Sequence, residues 1–134
     1  MKRDVNDAKF SDLKRMHRTV CQKCGKQLKL QCCHIFSRKY YTTRFYENNA
    51  IVLCYACHDW FDDHKITACL WDESKRVFEY HEESFHFLVK RLGYTWETLI
   101  ELYHLSQQPF RGYKHKKKDI TAELNRKLAE KEAE

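Results

Sequence analysis

The segment Asn49-Ala50-Ile51-Val52-Leu53-Cys54-Tyr55-Ala56-Cys57-His58 decides the fold that we expect for this chain. Its apolar, β-branched first half predicts a short strand that ends at Cys54, and a helix carrying His58 is expected to start at Cys57. Cys54 and Cys57 have the C-x-x-C spacing with which two thiolates share one metal ion. The segment therefore predicts a strand, a metal knuckle and a helix in direct succession.

A second knuckle lies upstream in Cys21-Gln22-Lys23-Cys24-Gly25, where the glycine permits a tight turn. Two such pairs are typical of a tetrahedral structural zinc site, because soft sulfur ligands suit the ion and four of them complete its shell. A small domain gains folding free energy from a site of this kind. The expected zinc ligands are Cys21, Cys24, Cys54 and Cys57.

Other uses of the cysteines remain as alternatives: iron binding, dithiol redox chemistry, or simple packing. Cys54 to His58 also matches C-x-x-C-H, the attachment string of c-type haem, but that chemistry requires export and leaves the upstream pair without a role.

The N-terminal sequence has no apolar signal segment, and no run approaches the roughly 18 residues that cross a bilayer. We therefore expect a cytoplasmic protein, whose seven cysteines do not form a disulfide framework. Cys32, Cys33 and Cys69 are expected to be small buried residues, although Cys33, beside His34, could contact a metal.

Positive charge is unevenly distributed in a chain of net charge +6. Lysine and arginine number six against one acid in residues 21–48, and eight against five in residues 111–134. Residues 59–110 have the opposite balance, five against ten. This pattern suits a polyanion bound on one side of the protein, although a solvated helix surface would have a similar composition.

Around the first knuckle, the spacing of Phe10, Leu13 and Met16 predicts a short amphipathic helix over 6–18. Loose alternation predicts a strand within 27–36. The polar, aromatic and basic residues 37–49 favour a long loop between the two strands.

The second half of the chain is expected to be mainly helical. Residues 66–80 favour either a small hairpin or an irregular extension. Apolar spacing predicts a helix over 85–92 that ends at Gly93, and a second one that is capped by Thr95 and stopped by Pro109. A last helix after Asp119 has only a thin apolar stripe, so it is expected to fray or to dock on a partner.

Three segments resemble the HNH (ββα-metal) nucleases and, within them, the phage recombination nucleases NinG and Rap. They are Cys33-His34-Ile35-Phe36-Ser37-Arg38, Arg44-Phe45-Tyr46-Glu47-Asn48-Asn49 and Leu53-Cys54-Tyr55-Ala56-Cys57-His58. The resemblance covers residues 21–62 and depends on a histidine and an asparagine placed between two cysteine pairs. It implies an α+β fold with a zinc-stabilised ββα-metal core. Together with the predicted helices and the charge pattern, it divides the chain into a core with the N-terminal helix in residues 1–66, a helical extension in 67–110 and a basic C-terminal arm in 111–134.

The resemblance also implies an activity, the metal-dependent hydrolysis of DNA by an endonuclease, with branched or single-stranded recombination intermediates as substrates. In this activity His34 is the general base that takes a proton from the attacking water. Asn49 holds the loop and orients His34, and His58 binds a catalytic Mg²⁺ or Mn²⁺. The alternatives are a homing or packaging-associated nuclease on duplex DNA, and a zinc-dependent DNA-binding module without catalysis.

This chain departs from the family at one position, because many relatives have a metal-binding aspartate where Cys33 stands. The catalytic ion then needs another ligand, and Asp62 lies one helical turn after His58. His64 is a weaker alternative, since it leaves that helix face. A thiolate from Cys33 would favour zinc or manganese over magnesium.

The expected contacts to DNA phosphates are made by Arg38, Arg44 and, less specifically, Lys39. Symmetric cleavage of a DNA junction needs two active sites, so we also expect a homodimer. If the protein is encoded by a phage, its compartment is the host cytoplasm.

Overall fold

The computed structural model describes residues 3–63 and 83–134. Four expectations lie outside these residues: the hairpin or extension at 66–80, the boundary after residue 66, the weaker ligand His64, and the burial of Cys69. Within the described ranges, no helix has the length and apolar character needed to cross a bilayer.

Helix α1, Val5–Arg15, confirms the predicted N-terminal helix. It begins with a capping box, in which Asp4 caps the helix and the side chain of Asp7 accepts a hydrogen bond from the Asp4 backbone N–H. Phe10 is buried on its inner face. The helix ends before the predicted residue 18, because His17 has a φ of 64°, which is incompatible with a continuing helix.

Two antiparallel strands form the sheet, β1 (Leu30–His34) and β2 (Ala50–Cys54). In their register His34 faces Ala50. All of β2 is buried, and Gln22 of the first knuckle covers its outer edge. There the Gln22 N–H donates to the Val52 carbonyl at 3.0 Å and the Val52 N–H donates to Gln22 Oε1 at 2.7 Å. The knuckle therefore satisfies an edge that would otherwise lack partners.

The segment between the strands is more ordered than a long loop, which corrects that expectation. It contains the short helix α2, Tyr41–Arg44, and a 3₁₀ turn, Glu47–Asn49. Thr43 and Arg44 are buried, so their backbone groups need partners inside the protein. Local bonds such as that from the Tyr46 N–H to the Thr43 carbonyl, 3.1 Å, supply them.

Helix α3, Tyr55–Asp63, follows β2 without a connecting loop and starts two residues before the predicted Cys57. Cys57 and Phe61, four residues apart, are its buried positions. The face of α3 that carries Cys57 and Phe61 therefore lies against the sheet. His58 and Asp62 each follow one of these residues in sequence, so they lie on the neighbouring face of the helix.

Helices α4 (Glu83–Leu92) and α5 (Trp96–Ser106) confirm the predicted helical pair. Gly93 has a φ of +80°, and the Thr95 hydroxyl accepts a hydrogen bond from the Thr98 N–H at 3.0 Å. The pair completes the main core together with the sheet and α3. Its buried residues include Phe36, Phe61, Phe85, Leu88 and Leu99.

Helix α6, Tyr113–Glu132, starts after Gly112 and not at the predicted Asp119. Its thin apolar stripe predicts fraying or docking on a partner, whereas the structure packs it along α1 of the same chain. Leu124 is 2% exposed and lies in a second cluster with Phe10 and Leu13. The predicted fraying is therefore wrong for this helix, whereas the division of the chain into three parts stays a prediction.

Candidate metal and nuclease site

The four predicted zinc ligands come together. One sulfur atom from each of Cys21, Cys24, Cys54 and Cys57 lies within 4.8 Å of the others. Cys54 ends β2 and Cys57 lies in the first turn of α3, so the strand and the helix hold one pair. The other pair lies in the turn of the first knuckle, where Gly25, at a φ of +73°, donates its N–H to the Cys21 carbonyl.

The thiols of this cluster have the chemistry of metal ligands. Burial opposes ionisation of Cys21, but hydrogen bonds from the backbone of Cys24, Cys54 and Lys23 outweigh it and lower the pKa of the Cys21 thiol to about 6. Burial and the neighbouring sulfurs raise the pKa of Cys57 to about 12. Four thiolates can thus coexist only with a cation among them. The cluster fits a structural metal.

A second group of metal-ligating atoms lies between β1 and α3. It consists of one atom each from Cys33, His58 and Asp62, all within 4.8 Å. Cys33 is fully buried on β1, whereas His58 is half-buried and Asp62 exposed on α3. The predicted pair His58 and Asp62 is therefore joined by the thiol of Cys33.

The orientation of His58 supports this group as a cation site. Its Nδ1 lies 2.8 Å from Gln31 Oε1, an acceptor, so Nδ1 carries the proton. The lone pair of a neutral ring is then on Nε2, which lies 3.3 Å from Asp62 Oδ2. Two electron-rich atoms this close are favourable only with a proton or a metal cation between them.

A cleft of about 750 Å³ opens over this group. His34, His58 and Asp62 all line it, so the candidate base and two of the three candidate metal ligands share one cavity, whereas Cys33 is buried behind its wall. Basic side chains surround the same space: Arg3, Arg15, Lys29 and Arg38.

His34 is fixed by its neighbours. Its Nε2 lies 2.9 Å from the backbone carbonyl of Arg44, and a carbonyl only accepts, so Nε2 is the protonated nitrogen. In the neutral ring Nδ1 then carries the lone pair. The ring also packs against Phe10 of α1, with the ring centroids 5.6 Å apart.

Asn49 is fully buried and connects three parts of the segment between the strands. Its Oδ1 accepts from the Phe36 N–H at 2.9 Å, and its Nδ2 donates to the carbonyls of Phe36 and Thr43 at 3.0 and 3.1 Å. The carbonyl of Thr43 precedes Arg44, whose own carbonyl contacts His34. Asn49 therefore lies one residue from the group that orients the imidazole.

The three predicted DNA contacts have different surroundings. Arg38 lines the cleft, with 33% of its side chain exposed. Lys39 is exposed but borders a second, smaller depression beside Tyr40. Arg44 is 1% exposed and paired with Asp7, so the structure corrects the expectation that it contacts phosphate. A buried guanidinium that is already neutralised has neither the access nor the free charge for that contact.

The sequence reasoning missed Gln31 and three basic side chains at the cleft, Arg3, Arg15 and Lys29. Gln31 belongs to β1, and its role depends on which residues face α3, which is set by the register of the sheet. Arg3 precedes α1 and Arg15 is its last residue, and the packing of that helix against β1 brings both to the cleft. The basic composition of residues 1–20 was the one available signal.

Comparison with known proteins agrees with this geometry. Residues 21–67, about a third of the chain, match the sequence model of a family described as HNH endonuclease. The match includes both cysteine pairs, His34 and His58, and it supports the HNH family and nuclease activity in general. It also supports metal dependence and DNA as the partner, since HNH nucleases use metal ions to act on DNA. No curated protein and no solved structure gives a significant match.

Proposed function

We propose that this protein is a metal-dependent DNA endonuclease whose β1, β2 and α3 form a ββα-metal core. The observation that carries the proposal is the shared cleft: His34 and the pair His58 and Asp62 line one cavity. A base and a cation site must face the same scissile phosphate to hydrolyse it. The cleft provides that arrangement on a scaffold held by the four-cysteine cluster.

His34 is the general base of the proposed reaction. Its Nε2–H donates to the Arg44 carbonyl, so Nδ1 is the basic nitrogen of the neutral ring and the atom that takes a proton from water in this proposal. Histidine is a suitable general base near pH 7, because the unperturbed pKa of its side chain lies close to that pH. Asn49 holds the segment that carries the orienting carbonyl, and its role is to position the base.

We assign Zn²⁺ to the four cysteines and a second divalent cation to Cys33, His58 and Asp62. When bound, this cation supplies positive charge to the phosphorane and to the leaving 3′ oxygen. His58 and Asp62 alone suit Mg²⁺ or Mn²⁺, whereas the Cys33 thiolate favours Mn²⁺ or Zn²⁺ over Mg²⁺. Cleavage is thus expected to be stronger with Mn²⁺ than with Mg²⁺.

The DNA lies along the basic side of the cleft in this proposal. Arg38, the one predicted contact at the cleft, is joined there by Arg15 and Lys29. Phosphate contacts of this kind position a strand without reading its sequence. We further propose branched or single-stranded recombination intermediates as substrates, a homodimer as the acting form, and a reducing cytoplasm in which the thiols remain available for metal.

Plasmid nicking with Mn²⁺ tests the cleavage chemistry. His34→Ala is expected to abolish nicking, while His104→Ala, a change of an exposed histidine on α5, retains it. Both proteins should bind the same amount of metal. Persistent nicking by His34→Ala would remove this residue from the mechanism. DNA binding by the zinc-loaded wild type without any nicking in Mn²⁺ would favour the non-catalytic zinc module.

The substrate proposal has its own test. A four-way junction, a single strand and a linear duplex of matched sequence are compared at equal protein concentration. Preferential cleavage of the junction or the single strand supports recombination intermediates, whereas equal cleavage of all three contradicts that preference. Sedimentation of the protein with and without the junction measures the expected dimer.

A further inference from the structure

We propose that Asp7 is a positioning residue for His34 and that it acts through Arg44. Asp7 lies on α1, outside the residues 21–67 that match the HNH family. The inference rests on the proposed role of His34 as the base. It extends the functional site into an N-terminal helix that the family match does not include.

A continuous series of contacts joins the two residues. The carboxylate of Asp7 accepts hydrogen bonds from Nε of Arg44 at 2.8 Å and from its Nη2. The backbone carbonyl of Arg44 in turn accepts the Nε2–H of His34 at 2.9 Å. The same residue thus binds α1 with its side chain and the imidazole with its backbone.

The Asp7–Arg44 pair is rigid because it is buried and bidentate. The two side chains are 3% and 1% exposed. A fork of two parallel hydrogen bonds fixes orientation as well as distance. Asp7 is itself held by the Asp4 N–H at 2.8 Å, so the carboxylate is fixed to the first turn of α1.

The charges of this pair are mutually stabilised. Burial would raise the pKa of Asp7, but hydrogen bonds from Arg44 and the Asp4 backbone, with the positive charges of Arg44 and Arg38, outweigh it and lower that pKa. The side-chain hydrogen bond to Asp7 raises the pKa of Arg44. Both groups are therefore ionised at neutral pH, so the two hydrogen bonds between them persist at that pH.

Helix α1 reaches His34 by a second contact on the same face. Phe10 lies three residues after Asp7 and packs against the imidazole ring. Because α1 holds both the ring and, through Arg44, its hydrogen-bond acceptor, displacement of Asp7 is expected to misplace the base. A misplacement of about 1 Å is sufficient to lower a rate by about 100-fold.

The test compares two neighbouring substitutions on α1. Asp7→Asn removes the charge that holds Arg44, whereas Asn6→Ala removes buried bonds to α6, to the Tyr113 hydroxyl and the Lys117 carbonyl. Both weaken the packing of α1, but only the first affects the acceptor of His34. In the metal-loaded protein, Asp7→Asn is expected to lower kcat about 10- to 100-fold, and Asn6→Ala to leave kcat near the wild-type value. The positioning role is measured by kcat, because Asp7 also lies 3.8 Å from Arg38, a proposed phosphate contact that affects KM.

A spectroscopic readout separates positioning from loss of structure. In ¹⁵N-labelled protein the His34 Nε2–H proton is observable when its bond to the Arg44 carbonyl protects it from exchange with water. The signal is expected in the wild type and in Asn6→Ala, and to be lost in Asp7→Asn. An unchanged signal together with an unchanged kcat in Asp7→Asn would overturn the proposal.

A double variant covers the case in which Asp7→Asn does not fold. Asp7→Leu with Arg44→Met replaces both charges by apolar side chains of similar size, which leaves no unpaired buried charge. It is expected to fold and still to have a reduced kcat, and a wild-type kcat would overturn the proposal. His34→Ala separates the failure of the proposed base from the failure of the positioning role. If His34→Ala still cleaves, the proposed base is wrong. If it is inactive while Asp7→Asn and the double variant have the kcat of Asn6→Ala, only the positioning role of Asp7 fails.

Discussion

Gln31 Oε1 accepts the Nδ1–H of His58 at 2.8 Å, across the gap between β1 and α3. The bond fixes the tautomer of His58 and directs its Nε2 towards Asp62. Histidine ligands commonly donate their second ring N–H in this way, because it orients the ring and raises its basicity. Gln31 and Cys33 are two residues apart on β1, so one strand face supplies both a ligand and the support of another.

Loss of this support is expected to weaken the second metal site. Gln31→Leu should lower the affinity for Mn²⁺ by about 10- to 100-fold, while Gln31→Glu, which keeps an acceptor, should retain it. Calorimetric titration of protein that already contains one zinc per chain measures the affinity. Equal binding by the wild type and Gln31→Leu would mean that His58 does not depend on Gln31 for its orientation.

The four-cysteine cluster is expected to determine whether the chain folds. Cys54→Ser should lose the structural metal and unfold, because metal binding at such sites contributes about 10–16 kcal/mol of apparent free energy. Cys32→Ser is the matched control. Cys32 belongs to β1 and pairs with Val52 of β2, the strand that ends at Cys54. It lies in neither group of candidate ligands among the described residues. Metal content and far-ultraviolet circular dichroism measure both effects, and a metal-free wild type with full helicity would contradict the assignment.

The basic side of the cleft should contribute phosphate contacts. In a His34→Ala background, Arg38→Ala and Lys29→Ala are each expected to weaken binding and to reduce the salt dependence, log Kd against log[salt], by about 0.9 for duplex DNA. Arg126→Ala removes a cation from α6, where Glu123 and Glu130 already neutralise it. It should leave the slope unchanged. Fluorescence anisotropy measures each slope, and equal slopes for all variants would place the DNA elsewhere.

Much of the fold could be predicted correctly from local sequence. The strand at Cys54, the cap at Thr95 and the glycine at position 93 have short-range causes, and each was predictable from neighbouring residues. The segment from Ile35 to Asn49 was not, because its order comes from the burial of Arg44 against α1, a contact between distant parts of the chain.

The site shows the same division. The knuckle cysteines are recognisable from their spacing alone, whereas the place of Arg44 is not, since an arginine beside a nuclease motif is as consistent with phosphate binding as with a buried ion pair. Asp7 could have been identified as part of a capping box after Asp4, but nothing local indicates that its carboxylate also binds Arg44.

The packing of α6 on α1 leads to a last prediction, for the stability of the N-terminal helix. Leu124 is 2% exposed between Phe10 and Leu13, whereas Leu128 lies in the same cluster but is only partly buried. Leu124→Ala is expected to cost about 2–5 kcal/mol of unfolding free energy, because a buried leucine leaves a cavity, and Leu128→Ala should cost clearly less. Urea unfolding of the metal-loaded protein measures both. Equal, small losses would mean that α6 contributes little to holding α1, and with it Asp7, against the site.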